Sequence, residues 1–224
     1  MQFIDLKTRH KLIGDKINAR IQKVMDHGQF ILGSEVRELE QKLAEFTGSK
    51  HCVTVSSGTD SLLIALMALG VRETDEVITV PYTWISTAEV IALLGARPVF
   101  VDIRPDTWNM DENHLEAAIT DRTKAIMPVH LTGRVCDMDP ILKISKKHNI
   151  PVIEDAAQAI GSKYNGRFSG TFGTIGCFSA HPLKNLNALG DSGYLTTNSS
   201  RIAKLILDLR NHGMTNRNIV RNFG

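Results

Sequence analysis

Four stretches of this sequence carry residue types that can do chemistry, and each follows an apolar, strand-like run. The first is "CFSAHPLKNLNALGDSG", residues 177–193. One lysine, Lys184, stands among Pro182, Leu183, Leu186 and Leu189, just beyond a run that reads as a buried strand. An ordinary lysine is a solvated surface group. An apolar setting disfavours the ammonium, lowers its pKa and frees the amine to act as a nucleophile or base. The second is "VIEDAAQAIG", residues 152–161, in which Glu154 and Asp155 close a very apolar strand. A carboxylate there is costly without a partner. Asp155 reads as a helix cap, as a metal ligand or as the partner of a cationic nitrogen. No second cluster of acids and histidines supports the metal reading, so no metal is expected. Gln158 shares the face of Asp155 if a helix begins there.

The third stretch is "SSGTDSLL", residues 56–63, where small hydroxyl residues and a glycine lead into an apolar helix. Capping by Ser57 or Thr59 explains it alone. Backbone amides at such a helix start can also hold a phosphate. The fourth is "PYTWIST", residues 81–87, with Trp84 just past a strand end. Trp84 reads as core or lid packing, or as a flat face on which an aromatic ligand stacks. Pyridoxal phosphate requires a lysine that bonds its aldehyde and an acid that keeps its ring nitrogen protonated, so that the ring draws electrons from a carbanion. It also requires a phosphate cradle and a stacking face. Lys184, Asp155, the 56–59 stretch with Ser179, and Trp84 offer one candidate for each need. No single piece is specific; the specificity lies in the four together.

The elements that must position these groups alternate along the chain. Two amphipathic helices open it, with Ile13, Ile17, Ile21 and Val24 at helical spacing and Val36, Leu39, Leu43 and Phe46 likewise, the second after Ser34 as N-cap. After Gly48, short β-rich runs ("CVTV", "EVITV", "PVFVD", "KAIMPVH", "IPVIED") alternate with helical patterns. The strands are continuously apolar, as strands covered by helices on both faces are. The expected architecture is α/β: a three-layer sandwich with a mixed, mostly parallel central sheet. "IGCFSA" and "GYLTTN" are separated by a loop rather than a helix and read as candidates for added antiparallel strands.

Composition narrows the function. The chain has 224 residues, a formal net charge of +2 and no dense basic run, so a nucleic-acid surface is not expected. Cys52, Cys136 and Cys177 are far apart and odd in number, which argues against a disulfide or zinc framework and for a reducing, cytoplasmic setting. No apolar run is long enough to suggest a membrane span. Neither a Walker loop nor a G-x-G-x-x-G occurs, which disfavours a Rossmann oxidoreductase.

The chain resembles the DegT-like nucleotide-sugar aminotransferases, pyridoxal-phosphate enzymes of the aspartate-aminotransferase (fold type I) architecture. The stretches that carry the resemblance are "GQFILGSEVRELE", "VSSGTDSL", "DEVITVPYTWISTAEVI", "VFVDI", "TKAIMPVHLTGRVCDMDPI", "PVIEDAAQAIGSKYNGR", "GTFGTIGCFSAHPLKNLNALGDSG" and "RNHGM". The resemblance implies that Lys184 bonds the cofactor and carries protons between Cα of the amino donor and C4′. It implies that Asp155 pairs with the pyridinium nitrogen and that Gln158 bonds near the phenolic oxygen. Gly58, Thr59 and Ser179 would hold the phosphate, and Trp84 would stack over the ring. For His181 it favours packing or substrate contact over a direct catalytic role. Relatives that dehydrate sugars carry a histidine at the lysine position, so Lys184 favours transamination.

The implied reaction takes an amino group from an L-amino acid, glutamate first among donors, to a keto carbon of a nucleotide-linked sugar for polysaccharide or glycoconjugate synthesis. UDP-linked 3-keto sugars are the slightly closer match. The implied assembly is a homodimer. Family members run on past Gly224 into a smaller C-terminal domain. Just past that point they carry a G-x-N-x-R segment whose asparagine reaches the partner's cofactor phosphate. Residues 1–224 are therefore expected to hold an N-terminal segment plus the cofactor-binding large domain, without the small one. A sulfur amino acid lyase on the same fold and a non-catalytic, regulatory relative are the alternatives.

Overall fold

The computed structural model describes residues 4–216 and 219–220; Asn222, Phe223 and Gly224, on which the expectation about the C-terminal end rests, lie outside them. Helix α1 spans Leu6–His27, with Asp5 accepting from the Thr8 amide as its N-cap and Gly28 ending it in the left-handed region. Helix α2 spans Ser34–Thr47. Its cap is Gly33 in an extended conformation rather than Ser34, which is already helical and donates to Glu35. Gly33 is required there because a Cβ would come 2.6 Å from the Gln29 carbonyl oxygen.

The alternating part follows the expected order. Strand β1 (His51–Val55) leads to α3 (Gly58–Ala68), β2 (Glu76–Thr79) to α4 (Ser86–Leu93), and β3 (Arg97–Phe100) to the short α5 (Glu112–Leu115). Then come β4 (Thr123–Ile126), α6 (Met138–His148) and β5 (Ile153–Asp155). A small hairpin, β6 (Lys163–Tyr164) with β7 (Arg167–Phe168), precedes β8 (Ile175–Ser179), β9 (Gly193–Thr197) and α7 (Ser200–Arg210).

The strands lie in the orders β3-β2-β4 and β5-β8-β9-β1, and parallel pairings Ile126–Val152 and Val129–Asp155 join β4 to β5. The β2–β3, β2–β4 and β5–β8 pairs are parallel, and β9 runs antiparallel to both β8 and β1. Only one of the two late strands is therefore an antiparallel insertion. "IGCFSA" runs parallel to β5 because the chain between them, including the hairpin, is long enough to return to the starting edge.

Side chains alternate between two cores. Val53, Val77, Ala125, Cys177 and Leu195 face α3, α4 and α7, represented by Leu66, Ile91 and Ile206. Their neighbours face the other way. Ile78 and Ile126 pack with Leu115 of α5 and Ile141 of α6. Cys52, Phe178 and Tyr194 pack with Leu43 of α2. Two helical layers thus sandwich a mixed sheet, and each fully buried leucine or isoleucine contributes about 1.5–3 kcal/mol. All three cysteines are buried and free. Among the described residues no helix is long and apolar enough to cross a membrane. Helix α1 buries only Gly14 and leaves Ile13, Ile21 and Met25 exposed.

Candidate active site

Strands β1, β2, β5 and β8 all point the same way, so the segments that follow them meet at one edge of the sheet. That edge is where open α/β sheets bind ligands. It brings together the 56–60 turn, the 81–87 loop, Asp155 and the loop after Ser179.

At the start of α3 the hydroxyls are committed. Ser57 accepts from the Asp60 amide at 3.0 Å, and Ser56 and Ser57 both donate to the Asp60 carboxylate. Ser57 is thus the helix cap. The first four amides of a helix have no partner within it. Here the Ser57 side chain takes the Asp60 amide and the Ser57 carbonyl takes that of Ser61. The amides of Gly58 and Thr59 are left over, at the positive end of the helix dipole. Ser179 comes so close that a Cβ on Gly58 would lie 2.6 Å from the Ser179 Cβ. Ser179 Oγ accepts from the His181 amide at 3.3 Å, which leaves its own proton free to donate.

Asp155 ends β5 with only 6% exposure. Burial raises its pKa, and hydrogen bonds from Thr87 Oγ1 (2.8 Å) and the Ala157 amide (3.2 Å), together with the charges of His130 and Lys184, work against that rise. No helix follows it. Residues 156–162 form turns, with the Ala159 amide bonded to the Ala156 carbonyl. The expected helical pairing of Asp155 with Gln158 therefore does not occur, and half-buried Gln158 sits in a turn instead.

Lys184 lies in the loop after β8, half-buried, with its amide bonded to the His181 carbonyl at 2.8 Å. Burial lowers its pKa and Asp155 partly restores it. The lysine and the acid, remote in sequence, are thus close enough for each charge to shift the other. His181 Nδ1 accepts from the Leu183 amide at 3.2 Å, closing the turn that presents the lysine. Ala180 fastens the base of this loop. Its amide bonds the Ser192 carbonyl at 2.7 Å and its carbonyl accepts from Ala188 at 2.8 Å.

Trp84 is 72% exposed, so the core-packing reading does not hold. Its loop is tied to the rest of the site by residues that sequence reasoning missed. Thr83 bonds Thr87, Thr87 bonds Asp155, and Ser86 bonds Thr59 at 2.9 Å. Hydroxyls before a helix read as caps, and nothing in their spacing distinguishes them from one.

Behind Asp155, Glu154 and His130 are both fully buried and meet at 3.1 Å. Glu154 also accepts from the amides of Gly170 (2.7 Å) and Gly173 (2.6 Å). Burial disfavours an imidazolium here, but Cys136 and Glu154 outweigh it and raise the His130 pKa to about 10. The Cys136 amide donates to His130 Nδ1 at 3.2 Å, which requires that nitrogen to be unprotonated. That bond belongs to the neutral tautomer, whose Nε2–H donates to Glu154; an imidazolium would keep the Glu154 contact and give up the Cys136 one. Among the described residues no group of three His, Cys, Asp or Glu side chains is arranged to hold a metal.

The chain matches the DegT/DnrJ/EryC1/StrS aminotransferase family over residues 11–224 and belongs to it. It is 52% identical over 217 residues to UDP-2-acetamido-2-deoxy-3-oxo-D-glucuronate aminotransferase of Pseudomonas aeruginosa, a match covering 97% of this chain and 60% of that protein's length. Among solved structures it resembles S. venezuelae DesV in complex with a ketimine intermediate, at 37% identity and a TM-score of 0.97, over 100% of this chain and 60% of that one. NtdA from Bacillus subtilis with bound cofactor PMP matches at 34% identity and a TM-score of 0.88, over 94% of this chain and 48% of that one.

Proposed function

We propose that this chain forms the cofactor-binding large domain of a pyridoxal-phosphate-dependent aminotransferase. The enzyme moves an amino group from an L-amino acid, glutamate first among candidates, to a keto carbon of a nucleotide-linked sugar. The 3-oxo sugar in the name of the Pseudomonas relative favours a UDP-linked 3-keto acceptor. The product would serve polysaccharide or glycoconjugate synthesis in the cytoplasm.

The residues present suit the cofactor. Two unclaimed helix-start amides, Gly58 and Thr59, with the free Ser179 proton, match a phosphate. A buried acid, whose anion Thr87 and the Ala157 amide favour against burial, matches a protonated ring nitrogen. An exposed indole, Trp84, matches a ring face. Pyridoxal phosphate, when bound, supplies the electron sink that lets a Cα–H bond of the amino donor ionise. Lys184 Nζ, with its pKa lowered by burial, would take the proton from Cα of the donor and return it on the cofactor side. Asp155 would hold a proton on the ring nitrogen, Gln158 would bond the phenolic side and Trp84 would cover one ring face.

The reading also includes a homodimer. A groove of about 710 Å³ lined by Ile13, Ile17, Ile21, Met25, Phe30 and Leu189 joins α1 to the Lys184 loop. A second copy would cover that apolar face and bear on the loop.

The observation that carries the reading is the meeting, at one sheet edge, of Lys184, the buried Asp155 carboxylate and the unclaimed Gly58 and Thr59 amides. Half-reaction spectroscopy tests it. Protein in the pyridoxamine form is offered UDP-, GDP- and dTDP-linked 3-keto and 4-keto sugars, and return of the pyridoxal-form absorbance names the acceptor. Lys184→Ala should abolish the return; normal turnover in that variant would overturn the assignment.

A further inference from the structure

The Asp155 carboxylate is held by a directional chain of hydroxyls that starts in the Trp84 loop. Thr87 Oγ1 lies 2.8 Å from Asp155 Oδ2, and Thr83 Oγ1 lies 2.9 Å from Thr87 Oγ1. A hydroxyl has one proton to give. Thr87 gives its proton to Asp155, so Thr83 must be the donor to Thr87. The order is Thr83 to Thr87 to Asp155, and a donated bond into Thr87 strengthens the one it makes. Thr87 is only 1% exposed, so water cannot replace it. Thr87 is the second residue of α4, which places the carboxylate by the positive end of that helix.

We propose that Thr87, backed by Thr83, is the positioning residue that holds Asp155 as an aimed anion and ties it to the loop bearing Trp84. This rests on the reading of Asp155 as the ring-nitrogen partner. The other groups around Asp155 do not substitute for Thr87. Lys184, from the β8 loop, favours the anion, yet burial weakens the lysine's own charge. His130, from the segment after β4, favours the anion through its charge but makes no hydrogen bond to Asp155 and spends its Nε2 on Glu154. The neighbouring Glu154 is engaged by His130, Gly170 and Gly173. Burial and Asp155 itself keep the Cys177 thiol of β8 protonated. The Ala157 amide reaches only the other oxygen, Oδ1. Because Ser86 of the same segment bonds Thr59, residues 83–87 fix the stacking face, the acid and the phosphate amides relative to one another.

The test is the titration of Asp155 in cofactor-free protein, followed by 13C NMR of labelled aspartate carboxyls and assigned by Asp155→Asn. Thr87→Val should move the Asp155 midpoint up by about one to two pH units, the amount expected for losing a bond to a charged group. Thr87→Ser should restore it to near the wild-type value, and Thr83→Val should shift it upward by less. In the loaded enzyme the acid limb of the donor half-reaction should move in the same direction. An Asp155 midpoint unchanged in Thr87→Val overturns the relay. Should that variant fail to fold, Thr83→Val decides, and an unshifted midpoint there overturns it equally. Failure to bind pyridoxal phosphate would instead remove the parent reading, while the titration still reports on the relay.

Discussion

Gly193, on β9, lies directly against the Ser57 peptide: a Cβ built on it would come 2.2 Å from the Ser57 carbonyl oxygen and 2.7 Å from the Gly58 nitrogen. The antiparallel strand thus supports the underside of the turn that presents the Gly58 and Thr59 amides. Both atoms it would strike are backbone, so neither can swing aside. Gly193→Ala should cost about 1–3 kcal/mol of stability, the range for overpacking, and should weaken pyridoxal phosphate binding. Gly190→Ala, where a Cβ meets nothing within 4 Å, is the control expected to do neither. Urea unfolding and cofactor titration of the two variants check this.

The His181 ring closes the Lys184 turn through one nitrogen. Asparagine can offer an oxygen near the place of Nδ1; alanine cannot. His181→Asn should keep the Leu183 amide protected from hydrogen exchange, and His181→Ala should expose it by about tenfold, the equivalent of one hydrogen bond. Equal protection in both variants would show that the ring does not brace the turn.

Lys184 and Asp155 make a prediction with a definite sign. Burial lowers the lysine pKa and the Asp155 charge raises it. Asp155→Asn removes the raising influence, so the Lys184 amine should become reactive at still lower pH. Acetylation of cofactor-free protein across a pH series, read by mass spectrometry at Lys184 and at exposed lysines, measures the midpoint. A midpoint that rises or stays put in Asp155→Asn would contradict the coupling.

Glu154 is the acceptor for two backbone amides and for His130 inside a dry core. Glu154→Ala strands three donors and should destabilise the protein by about 3 kcal/mol or more, at about 1–3 kcal/mol for each buried group left unpaired. Equilibrium denaturation gives the figure. A loss under about 1 kcal/mol, the scale of one ordinary hydrogen bond, would mean that water takes the carboxylate's place.

Much of this architecture was legible because apolar runs such as "EVITV" and "IPVIED" can be strands only when covered on both faces. Lys184 and Asp155 stood out because a charge next to such a run demands a reason. What stayed hidden was tertiary. The hydroxyls of Thr83, Ser86 and Thr87 look like ordinary residues before a helix, and only the fold brings Thr87 to Asp155. The direction of β8 was ambiguous because a crossover without a helix carries no periodic signal. The turn after Asp155 is not legible because "AAQAIG" is rich in helix formers and leaves a helix open; the chain bends there to begin the return toward β8. Of the two capping candidates in the sequence, Ser57 and Thr59, Ser57 is the cap, and its role leaves the neighbouring amides unclaimed.

The loop bearing Lys184 is fastened to the sheet at one residue, Ala180, through its amide and its carbonyl, and rests on the core through Leu186. An arm hinged on one rung can be rewritten without the ladder moving. The group at its tip can therefore drift, and with it the reaction performed, while the melting temperature scarcely changes. Chemistry and architecture in this chain can evolve on separate clocks.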